Sequence, residues 1–291
     1  GLKKLSITVW KIIFLINDMI SIIIPIYNEA TNLEILSKKI ALSLKDYNFE
    51  VVFINDGSID KSLNILNNII KTYNNFSCVN FKRNYGQTAA LQAGFDYASG
   101  KVIVAIDGDL QNDPADIPKL LQKINEGYDV VSGWRKNRKD SSFSRVIPSK
   151  IANYIISKIS GVKLHDYGCT LKAYKKEIIK DIKLYGEMHR FIPIYAKWEG
   201  AKVFEIEVNH NKRYSGESKY GISRVPKVIL DLIVVKFFEN LISRPIHLFG
   251  KLGFLFITFG ILISFYAIWL KIFEGVSFIL TPLPILIMFF L

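Results

Sequence analysis

Lys101-Val-Ile-Val-Ala-Ile-Asp-Gly-Asp-Leu-Gln111 is the stretch on which the fold turns. Its apolar residues, mostly β-branched, lead into Asp107-Gly108-Asp109, the pattern of a buried strand ending in a tight polar turn. Gly108 is read as the residue that lets the backbone turn and two carboxylates converge at the strand's carboxyl end. Open α/β sheets place their ligands there. Asp107, Asp109 and the amide oxygen of Gln111 form a hard-oxygen set suited to Mg²⁺ or Mn²⁺, with coordination positions left for substrate phosphates. The same residues are also ordinary turn chemistry, and Asp-x-Asp alone is a weak signal. An EF-hand is excluded: a loop begun at Asp107 meets Asn112 and Pro118 where Gly and Glu are required.

Upstream, the pattern repeats. Ile20-Ser-Ile-Ile-Ile-Pro-Ile-Tyr-Asn-Glu-Ala30 reads as a strand and its loop, followed by a helix over 31–44. Pro25 and Tyr27 stiffen that loop, and Asn28 and Glu29 offer hydrogen-bonding groups at its tip. Glu50-Val-Val-Phe-Ile-Asn-Asp-Gly-Ser58 is a second strand, ending in Asp56-Gly57-Ser58, with Asp60 opening the next helix. A third strand near 77–81 runs into Lys82-Arg-Asn-Tyr-Gly-Gln87 and a small-residue helix. Strands alternating with helices at this pace imply βαβ units and a mainly parallel sheet. Right-handed crossovers then bring Tyr27, Asp56 and Asp107 to one rim. Neither GxGxxG nor GxxxxGK[ST] is present, which demotes dinucleotide oxidoreduction and P-loop phosphoryl transfer.

Further along, 128–135 is another strand running into the basic segment 135–139, and 149–160 is a helix with Arg145 at its entrance. Asp166-Tyr-Gly-Cys-Thr170 is a tight small-residue stretch, and 203–208 alternates as a strand. Arg213-Tyr-Ser-Gly-Glu-Ser-Lys219 is a basic loop made to close over phosphates. Taken alone it reads first as a solvated hairpin tip.

The 291 residues carry 38 Lys and Arg against 26 Asp and Glu, a net charge of +12, which favours phosphate-bearing partners. Nucleic acid is the least supported of these, since no RNP motif, zinc finger or long basic run occurs. Cys78 and Cys169 are too far apart for a CxxC site and suit a reducing compartment. Four histidines without HExxH spacing exclude zincin chemistry.

Hydrophobicity concentrates late in the chain. Residues 1–18 read as an extension, with Met19 a natural start, and 19–222 as a soluble α/β domain. Residues 223–246 carry polar positions at helical spacing, which fits a helix in the membrane interface and equally a buried one. In 247–291, residues 252–270 contain no charge and span about 28 Å as a helix, roughly one bilayer core. A second apolar run covers 276–291, so the chain reads as single-pass or multi-pass. Arg244 and Lys251 place the soluble domain on the cytoplasmic side of an inner membrane.

Taken together, the chain resembles glycosyltransferase family 2, in particular the polyprenyl-phosphate glycosyltransferases related to dolichyl-phosphate mannose synthase. The resemblance rests on Pro25-Ile-Tyr-Asn-Glu29, Asn55-Asp-Gly-Ser58, Asn84-Tyr-Gly-Gln87, Asp107-Gly-Asp-Leu-Gln111, Gly133-Trp-Arg135, Gly186-Glu-Met-His-Arg190 and Arg213…Ser218-Lys219, in family order. It implies a GT-A fold with C-terminal membrane helices, a nucleotide-diphosphate sugar donor, a Mg²⁺ or Mn²⁺ ion, a polyprenyl phosphate acceptor and a lipid bilayer as partner; it leaves room for a homo-oligomer. By position, Pro25, Tyr27, Asn28, Glu29, Ile54 and Asp56 look like nucleoside-binding residues. Asp107, Gly108, Asp109 and Gln111 match the metal and diphosphate site, and Arg213 and Lys219 the loop that clamps the diphosphate. Arg135, Arg145 and Ser149 look like the acceptor-phosphate group, with Arg135 joining Asp107 and Asp109 as catalytic. No QxxRW motif occurs, which argues against processive synthesis. The expected donor is UDP-glucose-like, with GDP-mannose the alternative. A carboxylate essential on the acceptor side would favour a hydroxyl acceptor instead. The alternative of another class is a non-catalytic membrane scaffold that binds nucleotide-sugar, and the intact Asp107-Gly-Asp109 cluster and the basic loop speak against it.

Overall fold

β1 (Ile20–Ile26) sits mid-sheet, and its pairing organises everything else. The computed structural model describes residues 18–136, 160–212 except 185 and 187, and 245–275, together with 153, 156–158, 230, 234 and 237. β1 pairs in parallel with β2 (Phe49–Asn55) on one side and with β4 (Val102–Ala105) on the other. β3 (Phe76–Asn80) extends the sheet beyond β2. On the far side the order is β4, β6 (Lys172–Lys175), β5 (Val130–Trp134), β7 (Val203–Glu207), so the seven-stranded sheet reads 3-2-1-4-6-5-7. Only β6 runs against its neighbours. The mainly parallel α/β expectation therefore holds, with one reversed strand that the hydrophobic pattern does not distinguish.

The winding direction changes between β1 and β4. Crevices at such a switch point, outside the carboxyl ends of the strands, are where doubly wound sheets hold ligands. Pro25 helps to open it. Ile23 accepts the Ile106 N–H at 3.1 Å, so the β4-facing positions of β1 are 23 and 25. Pro25 has no N–H to carry that ladder one step further. The two chains part just where Tyr27 and Asp107 begin their loops.

Alternation along β1 splits the core in two. Ile20, Ile22, Ile24 and Ile26 pack on one face with α1 (Leu33–Ser43), α2 (Ser62–Thr72) and α4 (Ile117–Asn125). Ile23, with Val52 and Ile54 of β2, packs on the other face against α3 (Gln87–Tyr97) and the short helices α5 (Lys176–Ile179) and α6 (Ile192–Trp198). Both faces are covered, which is why these strands are mostly apolar rather than alternating with polar residues.

The remainder, from residue 233 on, forms a second unit. Its described helix, α7 (Pro245–Phe273), starts at the proline and is longer at both ends than the 252–270 expected from charge alone. Proline suits a first helical turn, where its missing N–H has no intrahelical partner to lose. Residues Phe249–Phe273 are long and apolar enough to cross a membrane, about 37 Å as a helix. Thr258 and Ser264 donate their hydroxyls to the carbonyls of Phe254 and Gly260, which satisfies them inside an apolar segment. The extension 1–17, the apolar run 276–291 and most of 223–244 lie outside the described residues.

Candidate active site

The rim is laced together from loop to loop. The Asn28 N–H donates to Ser58 Oγ and the Ile59 N–H to Asn28 Oδ1, at 3.0 and 2.9 Å. Glu29 N–H meets Ser62 Oγ, and Asn32 Nδ2 holds Glu29 Oε2 at 2.7 Å. Asn28 reaches this geometry with φ 55°, a left-handed conformation that Asn tolerates. The loops after β1 and β2 are therefore tied to each other.

Asp56 ties the next loop. Its buried carboxylate accepts the N–H groups of Tyr85 (2.7 Å) and Gly86 (2.9 Å) and the side-chain amide of Asn84 (3.0 Å). Burial pushes this carboxyl above its usual range, and the two loop amides pull the other way. Gly57 makes the crossing feasible. It has φ +65°, and a Cβ there would lie 2.3 Å from the Arg83 carbonyl carbon and 2.6 Å from Asn84 N. Gly57→Ala is therefore expected to lose at least about 2 kcal/mol, from left-handed strain plus a backbone clash that only displacement of the 83–86 loop relieves. Thermal unfolding measures it, and an unchanged Tm would contradict the geometry.

At the centre, Asp107 Oδ1 accepts the Gln87 side-chain amide at 2.8 Å, from the first turn of α3, and the Thr170 hydroxyl also bonds Asp107. Asp109 is buried and accepts its own loop N–H from Gln111 at 3.1 Å. Burial first, then the neighbouring Asp109 charge, push Asp107 up to about 6, against the Thr170 bond and the cations Arg135 and Lys172. Gly108 needs correcting. Its backbone is not left-handed; the left-handed residue of the turn is Leu110, at φ 61°. The position is tightly packed instead: a Cβ at 108 would lie 2.5 Å from Ile26 Cδ1, which would have to swing aside.

β6 determines what faces this pair. Because it runs backwards, the residues that precede it arrive at the same rim as the ends of β4 and β5. Asp166 there grips Arg135, with Nε to Oδ2 at 2.7 Å and Nη2 to Oδ1 at 3.0 Å. The side chains are only 14% and 6% exposed. Burial favours loss of the Arg135 proton, but Asp166 outweighs it and holds the guanidinium charged. Beneath them, buried Lys172 donates to the carbonyls of Tyr167 and Cys169, which fixes the turn. Burial pushes the Cys169 thiol up to about 11, so it stays protonated and unreactive.

A family model described as Glycosyl transferase family 2 matches residues 21–183. The chain belongs to glycosyltransferase family 2. Among this glycosyltransferase's relatives, the "Dodecaprenyl-phosphate galacturonate synthase" of Rhizobium johnstonii is 47% identical over 240 residues, 80% of this chain and 71% of that one. The "Undecaprenyl-phosphate 4-deoxy-4-formamido-L-arabinose transferase" of Shewanella sediminis is 37% identical over 261 residues, 89% of this chain and 77% of that one. Among solved structures, glucosyl-3-phosphoglycerate synthase from Mycobacterium tuberculosis with Mn²⁺, UDP and glucosyl-3-phosphoglycerate superposes with a TM-score of 0.57 at 14% identity, covering 76% of this chain and 80% of that one. A Pyrobaculum calidifontis mannosyltransferase with GDP-Man and Mn²⁺ gives 0.51 at 15% identity, covering 76% and 71%. These two establish the GT-A-like fold.

Of the residues singled out in the sequence, the glycosyltransferase places Pro25, Tyr27, Asn28, Glu29, Asp56, Gly108, Gln111, Asp107, Asp109 and Arg135 along this rim. Ile54 is instead fully buried against α3, so its side chain presents no face to a ligand. Arg145, Ser149, Arg213 and Lys219 lie outside the described residues. Gln87, Asp166, Thr170 and Lys172 were not singled out as site residues. Gln87 lay within a quoted motif, and the 166–170 stretch was conspicuous for its small residues. Lys172, a charge between the apolar residues Leu171 and Ala173, is the remaining signal in the sequence.

The donor set fits a divalent cation. Asp107 and Asp109 repel each other in a desolvated site, a cost that a cation removes. Among the described residues no cluster of three His, Cys, Asp or Glu side chains forms.

Proposed function

We propose that the protein transfers one sugar from a nucleoside diphosphate to a polyprenyl phosphate at the cytoplasmic face of a membrane, with inversion at the anomeric carbon. One observation carries the reading: the buttressed Asp107–Asp109 pair lies at the β1/β4 switch point beside the Asp166-held Arg135. The names of the relatives at 47% and 37% identity support a polyprenyl phosphate acceptor. Helix α7 supports membrane association.

Asp107, Asp109 and Gln111 would hold Mg²⁺ or Mn²⁺, which supplies Lewis-acid charge to the departing diphosphate. Gln87 and Thr170 orient the Asp107 carboxylate. Arg135 positions the acceptor phosphate, whose oxygen forms the new bond to the anomeric carbon as the bond to the nucleoside diphosphate breaks. A phosphomonoester with a second pKa near ~6 is already an oxyanion at neutral pH, so no general base is needed. Arg213 and Lys219 are assigned to the diphosphate, and Arg145 and Ser149 to the acceptor.

The sugar is tested with a donor panel. UDP-galacturonate comes first because of the Rhizobium relative, then UDP-glucose and GDP-mannose, each with undecaprenyl phosphate and the purified full chain. Mass spectrometry is expected to find one lipid-phosphate monosaccharide, formed with Mn²⁺ or Mg²⁺ and lost in excess EDTA. Equal transfer in EDTA would overturn the cation assignment. Retention of anomeric configuration, read by NMR, would overturn single displacement.

A further inference from the structure

Strand β7 lies at the sheet edge, three strands from β4 and its Asp107 turn, yet its side chains reach the two segments that carry the Arg135–Asp166 pair. Glu205 Oε1 accepts the backbone N–H groups of His165 (2.9 Å) and Asp166 (3.0 Å). Its Oε2 accepts the same His165 N–H at 3.0 Å and meets His165 Nδ1 at 2.7 Å. The carboxylate is only 11% exposed. Two residues on, Glu207 pairs with Lys136 Nζ at 2.5 Å, on the other side of Arg135. Residues two apart in a strand share a face. The parallel register sets Ser132 beside Glu205 and Trp134 beside Glu207. The His165 ring also stacks on Trp134, with centroids 4.2 Å apart.

We infer that Glu205 is a positioning residue for the acceptor phosphate: by clamping the 165–166 backbone it sets the Asp166 carboxylate, which in turn aims the Arg135 guanidinium. This rests on the reading of Arg135 as an acceptor-phosphate group. Asp166 uses both oxygens on one edge of the guanidinium, so the direction of the remaining N–H groups is dictated by where Asp166 stands. Asp166 is held by its own backbone, and Glu205 fixes that backbone through charge-assisted bonds, the stronger kind. A neutral amide in place of Glu205 keeps the volume but turns an N–H₂ group toward a backbone donor.

The test uses the full chain in detergent and two probes measured by calorimetry: citronellyl phosphate, a short isoprenoid phosphate, and UDP with Mn²⁺. Glu205→Gln is expected to weaken citronellyl phosphate about 10-fold, as loss of an outer-shell partner does. UDP binding should stay within about twofold of the parent. Arg135→Lys should weaken the same probe at least as much, because a point charge replaces a planar fork. The double variant should then be no weaker than Arg135→Lys alone, since Glu205 acts through Arg135. Glu205→Asp, too short to reach both amides, provides a second variant with the same expected loss. His165→Ala, which keeps its backbone N–H, should leave the affinity intact. Unchanged affinity in both Glu205 variants, or additive losses in the double variant, overturns the inference while leaving Arg135's role standing. No effect of Arg135→Lys overturns the reading of Arg135 itself.

Discussion

Asp107→Asn and Asp109→Asn each lower sugar transfer by at least about 10²–10³-fold, the usual effect of removing one preorganised charge partner. The fold survives both. Gln87 Nε2 donates to Asp107 Oδ1, and an Asn oxygen can accept that same bond. Metal-free Asp107→Asn is expected to be as stable as the parent or more so, because one of two mutually repelling, desolvated carboxylates has been neutralised. Activity and stability then move in opposite directions, as they do where a site is held in a strained charge state for function. Radiolabelled transfer into organic-extractable lipid and thermal unfolding are the two measurements. Near-normal cation-dependent transfer in both variants would remove the acidic pair from the mechanism.

The second large effect is expected at Asp166. Asp166→Asn leaves Arg135 charged and mostly buried without its counter-ion, which typically costs about 3–5 kcal/mol. In a protein of this size that lowers Tm by roughly 6–20 °C. Transfer falls as well, since the guanidinium loses its two-point hold. Arg135→Met added to Asp166→Asn removes the orphaned charge, so the double variant should regain stability without regaining activity. Wild-type Tm in Asp166→Asn would show that the ion pair is not what holds this part of the rim.

The mainly parallel sheet, its strands other than β6, and the acidic pair are legible in the sequence, for a physical reason. A strand covered on both faces is apolar at nearly every position, as in Val102–Ala105 and, Ser21 aside, Ile20–Ile26. The polar residues that follow then mark its carboxyl end. Ile54 lay too close to Asp56 for motif reading to separate them, and only side-chain direction put one in the core and the other at the rim. Gly108 is legible as a turn glycine, but the packing of Ile26 against it is not, because Ile26 lies more than eighty residues away in sequence.

Taken alone, the chain determined that two carboxylates end a buried strand, that the βα alternation is parallel, and that an uncharged helix follows the catalytic domain. Composition, periodicity and local turn chemistry suffice for these, because each depends on residues within one element of the other. The tertiary structure decided that β6 runs backwards between β4 and β5, which delivers Asp166 and Thr170 to Arg135 and Asp107. Strand direction leaves no trace in the apolar pattern. It is settled by which hydrogen-bonding edge the chain reaches after a long connection, and the partners of Arg135 follow from that.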